Sequence, residues 1–482
     1  MKKYDLIVIG TGSAMNLVEP LLEQMKAPRI AVIDKDPPGG ICLTKGCIPT
    51  KLLVYPADLV RTIERAAAFG IEASVGHIDF GRIMAEMRHS IGADIAGIRS
   101  ALSASEEIDY YPAMAEFTAP HTLRVGGEEI TGKRIILCTG SRPHIPEIPG
   151  LEAAGFLTSD TVLELTERPD RLVIIGGGYI AAEYAHFFSA MGTEVTLVGR
   201  NPRLLPEEEP EISAAVAQSL ARFMAVRIGE AAVAVEAGDG EKRVRVRETA
   251  TGEERVIPAD EILVATGRSS NADLLHPERA GIETDEAGWI VTDDRLETAQ
   301  PGVWALGDAN GRHMFKHVAN YESQILYYNA FQGRKLAVDY HAVPHAVFTW
   351  PEVAAVGMTQ EQAEAAVGPD KVLVGFQRYI DTARGMAMRA EDAFVKLILE
   401  DDSFRILGAH IVGPEASILI QEVINLMYTP EGVIFPLSSG MHIHPALSEV
   451  VERAALALYP AAEYDAAVRP GLVMEHAHGT AD

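Results

Sequence analysis

The sequence predicts an α/β chain with two parallel-sheet units and a smaller α+β domain towards the C-terminal end. Two observations carry that class. A short apolar strand runs into a cluster of glycines at Gly10 and again at Gly176, and from about His341 the pattern shifts to shorter strands and helices.

In the first unit, residues 4–9 form a β-branched apolar run ending in glycine, as a strand buried on both faces does. Gly10-Thr11-Gly12 follows, then a helical stretch to about Lys26, then the strand Ile30-Ala31-Val32-Ile33, which ends in Asp34. This is the arrangement of a dinucleotide site. The glycines let backbone approach a pyrophosphate, the helix N-terminus favours its charge, and Asp34 can accept from a ribose hydroxyl. Met15 stands at the third glycine position, so helix and strand are expected to pack less closely there.

The second unit repeats the device. Leu172-Val173-Ile174-Ile175 leads into Gly176-Gly177-Gly178-Tyr179-Ile180-Ala181-Ala182-Glu183, and Val195-Thr196-Leu197-Val198 is the second strand. Two such units imply two dinucleotides. Ala181 takes the third glycine position, which loosens the turn. This strand ends in Gly199-Arg200, with Arg203 close by, where an acidic residue would mark NAD. Arginine binds a 2′-phosphate through paired hydrogen bonds, so the unit is expected to prefer NADPH, with NADH possible.

Ile136-Leu137-Cys138-Thr139-Gly140 and Leu263-Val264-Ala265-Thr266-Gly267 match each other and read as chain crossings beside a nucleotide. Cys138 is expected to pack as a small apolar residue. Val303-Trp304-Ala305-Leu306-Gly307-Asp308 reads as a further buried strand delivering an acid, with a helix beginning near His317. Residues 463–482 are polar and poor in bulky groups, and are expected to form a flexible tail.

Hydrophobic residues make up 48% and charged residues 23%, as in ordinary globular proteins. A net charge of −26 argues against a broad nucleic-acid surface. No stretch approaches the ~20 apolar residues of a membrane span. The apolar run after Met1-Lys2-Lys3 is too short for a signal peptide, so the expected address is cytoplasmic.

The chain has three cysteines, and two of them, Cys42 and Cys47, stand five residues apart. Either they hold a metal with outside help or they open and close as a redox disulfide. On a regular helix, residues five apart lie about 140° round the axis, too far for a disulfide. The pair is therefore expected where loop becomes helix, with Gly46 permitting the bend and Pro49 early in the helix. The helix N-terminus there stabilises a thiolate.

Taken together, the two glycine units, the run from Gly39 to Lys51, the Asp308 strand and the late His444-Pro445-Ala446-Leu447-Ser448-Glu449 resemble the flavin-dependent pyridine nucleotide–disulfide oxidoreductases. That group includes dihydrolipoamide dehydrogenase, glutathione reductase, mycothione reductase and mercuric reductase. The likeness spans roughly residues 4–460. It implies two Rossmann-like domains plus an α+β dimerisation domain: FAD on residues 1–150 and 271–340, NAD(P) on 151–270, and dimerisation on 341–462. The expected FAD contacts are Gly10, Gly12, Asp34, Lys51, Ala115, Thr139, Gly140, Asp308 and His317. Those for the nicotinamide nucleotide are Gly176, Gly178, Tyr179, Glu183, Arg200, Arg203 and Gly267.

The resemblance also implies roles. Hydride would pass from nicotinamide to flavin, and electrons onward to the Cys42–Cys47 disulfide. Cys47 would face the flavin and Cys42 the substrate, while Glu183 pairs with Lys51. His444, oriented by Glu449, would serve as acid–base group and reach across a two-fold axis into the partner's cysteine site, which makes a homodimer obligatory. No metal site is implied. Within the family, Tyr179, Arg200, Gly10-Thr11-Gly12-Ser13 and Lys316-His317-Val318-Ala319-Asn320 look most like mycothione reductase. His442-Ile443-His444-Pro445 is closer to dihydrolipoamide dehydrogenase, and mercuric reductase is disfavoured by the missing C-terminal cysteine pair. The expected activity is NADPH-preferring reduction of a small-molecule disulfide. The alternatives are an NAD-linked dihydrolipoamide dehydrogenase, a metal-ion reductase and a non-catalytic redox-sensing flavoprotein. Lys45, between the cysteines, either raises thiolate content and attracts an anionic disulfide, or faces solvent.

Overall fold

The computed structural model describes residues 1–238 and 240–477. Strand Lys2–Ile9 lies at the centre of the first sheet, parallel to Ile30–Ile33 on one side and to Glu128–Leu137 on the other. Strand Ile108–Tyr111 extends it beyond Ile30–Ile33, and the short strand Val303–Ala305 pairs in parallel with Glu128–Leu137. Residues 271–340 thus return to complete the sheet begun by residues 1–140. Ile7, Val8, Val32, Ile135 and Ile136 are sealed from water, as the continuous apolar runs of a two-sided parallel sheet require.

The first turn of the leading helix departs from the sequence reading. Residues Ser13–Leu17 are a 3-10 turn, and the α-helix proper is Val18–Gln24. Pro20 accounts for the restart: it has no N–H to give the Asn16 carbonyl, and its ring crowds that carbonyl.

The inserted unit has a five-stranded parallel sheet in the order Ala225–Ile228, Glu194–Gly199, Arg171–Ile175, Glu261–Val264 and Leu157–Thr158. A three-stranded antiparallel sheet, Glu230–Gly238, Glu241–Glu248 and Glu254–Ala259, flanks it. The chain leaves along Ser141–Pro143 and returns along Arg268–Ser270, and these two strands pair antiparallel, Ser270 against Ser141. The two strand ends read as domain crossings are therefore the outgoing and incoming arms of one connector.

From residue 343 onward a six-stranded antiparallel sheet is covered by the helices Ala416–Met427 and Ser448–Leu456. The expected flexible tail is corrected here. Residues Ala461–Ala467 and Arg469–Ala477 are helical, and only 478–482 of that call lie outside the described residues. Composition misled because few anchors suffice: Tyr464 is fully buried, Leu472 nearly so, and the Tyr464 hydroxyl donates to buried Glu211 at 2.8 Å.

Candidate active site

A short helix and a long one meet at the cysteine pair. Gly40–Thr44 carries Cys42, Lys45 and Gly46 break the helix, and Cys47 opens the helix Cys47–Arg65. The break brings Cys42 back over the first turn of the second helix, where the thiols are hydrogen-bonded to each other. The two titrate in opposite directions. Cys47 is lowered to about 7, chiefly by the bond from Cys42 and then by the charge of Lys51, against the cost of burial. Cys42 is raised, because it keeps the shared proton and is partly buried. The pair is thus a thiol donating to a thiolate, with the anion at the helix N-terminus.

Both cysteines stand in the wall of one cleft. Gly10, Gly12 and Asp34 form another stretch of that wall, Ala115, Thr139 and Gly140 line it from neighbouring strand ends, and Asp308 stands beside Gly307 in it. A methyl group at Gly10 would meet the Cys138 carbonyl oxygen at 2.0 Å, and its φ of +97° also requires glycine. Asp34 is fixed by the Thr11 N–H at 2.8 Å and the Thr11 hydroxyl at 2.6 Å. Asp308 sits not on a strand but on a 3-10 turn, Gly307–Asn310, because strand Val303–Ala305 ends earlier than its apolar run suggests. Buried Glu322 ties that turn down, accepting from the Gly307 N–H and from Asn310. Ser141 donates to Asp308 at 2.5 Å. The Thr139 hydroxyl is buried without a hydrogen-bond partner. A long cleft with a glycine cradle, a carboxylate in each of two strand-end turns and an orphaned hydroxyl fits a dinucleotide such as FAD.

Lys51, one turn along from Cys47, donates to both carboxylate oxygens of Glu183 at 2.8 and 2.7 Å. Glu183 is nearly sealed from water and also accepts from the Phe348 N–H at 3.0 Å, while the Lys51 ammonium lies 4.5 Å from the centre of the Phe348 ring. This pair joins the cysteine helix to the helix Tyr179–Ala190 of the second nucleotide unit. Tyr179 stays 38% exposed at the start of that helix, its ring 6.4 Å from that of Phe315, which lines the cleft. Gly176 has φ of +149°, and a methyl group there would meet the Ala265 carbonyl oxygen at 2.1 Å. Gly178 faces open space, and Gly267 has φ of +120° on the return crossing. Arg200 is exposed and Arg203 half-buried; among the described residues neither forms an ion pair with a carboxylate.

His317 is placed differently from the expectation. Its Nε2 lies 2.7 Å from the Pro344 carbonyl oxygen, its ring stacks on Phe315, and it is not part of the cleft wall. The neighbouring Lys316 takes the wall position instead, bonding the Ser13 hydroxyl at 3.0 Å and stabilising charge at Cys42. Lys316 and Phe348 carried no individual signal in the sequence; a lysine opening a helix and a phenylalanine in a strand-end run are ordinary. Lys45 neither faces the cleft mouth as a free cation nor stands alone in solvent, since it lies 3.5 Å from Asp160 and 4.0 Å from Asp36. Cys138 is held above its usual range, at about 11, by burial, as an inert packing residue would be.

His444 and Glu449 meet as expected, Nδ1 to Oε1 at 2.8 Å, with Glu449 also accepting from the Ala446 N–H. The hydrogen bond from His444 holds the Glu449 carboxyl below its ordinary value. Glu449 is buried, whereas the His444 side chain is 67% exposed; Met441 and Ile443, near it in the chain, are exposed as well. An oriented, exposed imidazole is free to meet a group from outside its own chain. His442 lies between Glu422 and Glu452. Among the described residues no cluster of three or more His, Cys, Asp or Glu could hold a metal ion, and no helix is long and apolar enough to cross a membrane.

Comparison with known proteins agrees with this geometry. Residues 4–323 match the pyridine nucleotide-disulphide oxidoreductase family, and residues 343–455 match that family's dimerisation domain, which supports a homodimer. A mycothione reductase of Mycobacterium tuberculosis is 37% identical over 471 residues, covering 95% of this chain and all of that protein. A dihydrolipoyl dehydrogenase of Chlamydia trachomatis is 34% identical over 458 residues, covering 94% of this chain and 96% of that one. Among solved structures, the HOCl-induced flavoprotein disulfide reductase RclA of Escherichia coli superposes with a TM-score of 0.81 at 29% identity, covering 92% of this chain and 98% of that one. The chain therefore belongs to the pyridine nucleotide–disulphide oxidoreductases, FAD-dependent enzymes that use NAD(P).

Proposed function

We propose that the chain is an NADPH-preferring reductase of a small-molecule disulfide, working as a homodimer with shared active sites. The observation that carries this reading is geometric: Cys42 and Cys47 face each other across a helix break, with Cys47 at a helix N-terminus and Lys51–Glu183 one turn on, in the wall of the cleft that fits FAD. FAD, held by the Gly10–Gly12 turn, Asp34, Thr139 and Asp308, would supply two-electron transfer from NADPH to the Cys42–Cys47 disulfide.

The protein's own groups do the rest. The Cys42 thiol loses its proton to the partner's His444, and its sulfur attacks the substrate RS–SR. A Cys42–S–S–R bond forms, and the first RS⁻ leaves, taking the proton from the imidazolium as RSH. The Cys47 thiolate then attacks Cys42 sulfur, closing the Cys42–Cys47 disulfide and releasing the second thiolate. Glu449 stabilises the imidazolium between the two transfers. One NADPH and one proton are consumed for each RS–SR converted to two RSH. Because Cys42 is held protonated, a separate base is needed there.

The likeness to mycothione reductase and the exposed Arg200 both favour NADPH and a disulfide substrate. The likeness to dihydrolipoyl dehydrogenase favours a second reading, the reverse reaction with NAD⁺. Steady-state assay of mycothiol disulfide, glutathione disulfide and lipoamide, each with NADPH and NADH, separates them. Fast lipoamide turnover with NADH and none of the disulfides with NADPH would overturn the first reading. One equivalent of NADPH should also release two alkylatable thiols, at Cys42 and Cys47, by peptide mass.

A further inference from the structure

The run Glu207-Glu208-Glu209-Pro210-Glu211 follows directly on the Arg203 loop. In a chain with a net charge of −26 such a run is expected in water, yet Glu208, Glu209 and Glu211 are 5%, 2% and 0% exposed. Each is met by a cationic or polar group from beyond residue 340. Glu208 lies 2.5 Å from Nε2 of His345. Glu209 accepts from Lys396 at 2.9 Å and from the Gln360 N–H at 2.5 Å. Glu211 accepts from Lys396 at 2.6 Å and from the Tyr464 hydroxyl. Arg469, in the last helix, stands 3.6 Å from the free oxygen of Glu211 and donates to Gln360 at 2.6 Å. Lys396 is completely buried. At its other end the same loop is tied to the second glycine turn, where the Leu205 N–H donates to the Gly177 carbonyl at 2.7 Å. Leu205 adopts φ of +50°, a conformation that needs such support in a leucine.

We propose that Glu208, Glu209 and Glu211, gripped by His345, Lys396 and Arg469, form an interdomain clasp that holds the Arg200–Arg203 loop in its phosphate-binding shape. The C-terminal domain and the two terminal helices are thereby part of nucleotide selectivity. The inference rests on assigning Arg200 and Arg203 to the 2′-phosphate. Its physical basis is that buried carboxylates cannot shift without leaving Lys396 unpaired in an apolar interior, so the loop cannot drift from the glycine turn. The two guanidiniums, which have no carboxylate partner among the described residues, are then pre-organised rather than ordered by the ligand.

Arg469→Gln and Glu208→Gln test this in the FAD-loaded dimer, with 2′,5′-ADP and 5′-AMP as probes in calorimetry. Both variants should weaken 2′,5′-ADP by about fivefold or more and leave 5′-AMP within about twofold, and Arg469→Lys should restore most of the loss. Equal weakening of both probes would mark the cluster as general stabilisation and overturn the inference, as would no change in either. Hydrogen exchange without ligand gives a separate reading: residues 200–207 should exchange faster in both variants, and unchanged exchange there also overturns it. If the unaltered protein binds the two probes equally, it is the arginine assignment that fails. The exchange result then decides the clasp.

Discussion

In the first nucleotide unit a methyl group on Gly10 would strike the Cys138 carbonyl oxygen at 2.0 Å; in the second, one on Gly176 would strike the Ala265 carbonyl oxygen at 2.1 Å. Cys138 and Ala265 follow the strands Glu128–Leu137 and Glu261–Val264, each the parallel neighbour of its unit's leading strand. The backbone device is therefore the same to a fraction of an ångström, and the specialisation lies in what surrounds it. The first unit begins its helix with a 3-10 turn, carries Met15 at the third position, and ends its second strand in Asp34, already held by Thr11. The second passes straight into a regular helix, buries Ala181 completely, and ends in a solvent-facing Arg200. Ala181 is fully buried inside a regular helix. Close packing fixes how a nucleotide approaches, and the residue at the strand end is where the two units differ most in charge.

Substituting the two glycines breaks that comparison most sharply. Gly10→Ala should abolish FAD retention and destabilise the fold. Gly176→Ala should leave FAD content intact and weaken the nicotinamide nucleotide by about 100-fold, since strain of roughly 1–3 kcal/mol adds to the carbonyl clash. Flavin absorbance of the purified variants reads the first, calorimetric titration the second. Loss of FAD from both would mean the units are not independent.

Lys51→Met removes the bond between the units. It leaves Glu183 buried without its counter-charge, a loss of about 2–3 kcal/mol in thermal or urea unfolding, below the fully buried case because Lys51 is partly hydrated. The same change should move the Cys47 titration. Its thiolate predominates above pH 7 and is lost below it, and taking away the lysine charge shifts that midpoint upward, so less thiolate is present at neutral pH. Ultraviolet thiolate absorbance of the reduced protein follows it; an unmoved midpoint would remove Lys51 from the account of Cys47.

Arg200→Ala should cut the preference for NADPH over NADH by about tenfold, through KM rather than kcat, as lost uniform binding does. A preference unchanged by the substitution would return the second strand end to a merely solvated loop. Smallest is Asp34→Asn, which keeps an acceptor on the first unit's strand end but loses its charge. FAD affinity should fall only about three- to tenfold, because a neutral acceptor still bonds Thr11 and a ribose hydroxyl. A loss as large as that of Gly10→Ala would place Asp34 among the fold's supports.

Much of this was legible along the chain. The strands Lys2–Ile9 and Ile30–Ile33, the second unit's pair, the kink between the cysteines and the His444–Glu449 contact all arise from residues near one another in sequence, where apolar period, glycine and capping chemistry act directly. For His317, proximity to a helix start did not say which way the ring turns: it meets the Pro344 carbonyl, offered from another domain. The tail was misjudged because Tyr464 and Arg469 look solvated until Glu211 and Gln360 are brought beside them from 253 and 109 residues away.

By itself the sequence determined the two glycine turns, their strand-end charges and the cysteine pair, because each depends on local backbone freedom or on one residue's chemistry. Only tertiary structure set Lys51 and Glu183 together one turn from Cys47, because Glu183 comes from the second nucleotide unit, 132 residues away. It alone turned an acidic surface-like run into a buried clasp. Burial is a property of what packs against a residue, and here the packing partners come from the far end of the chain.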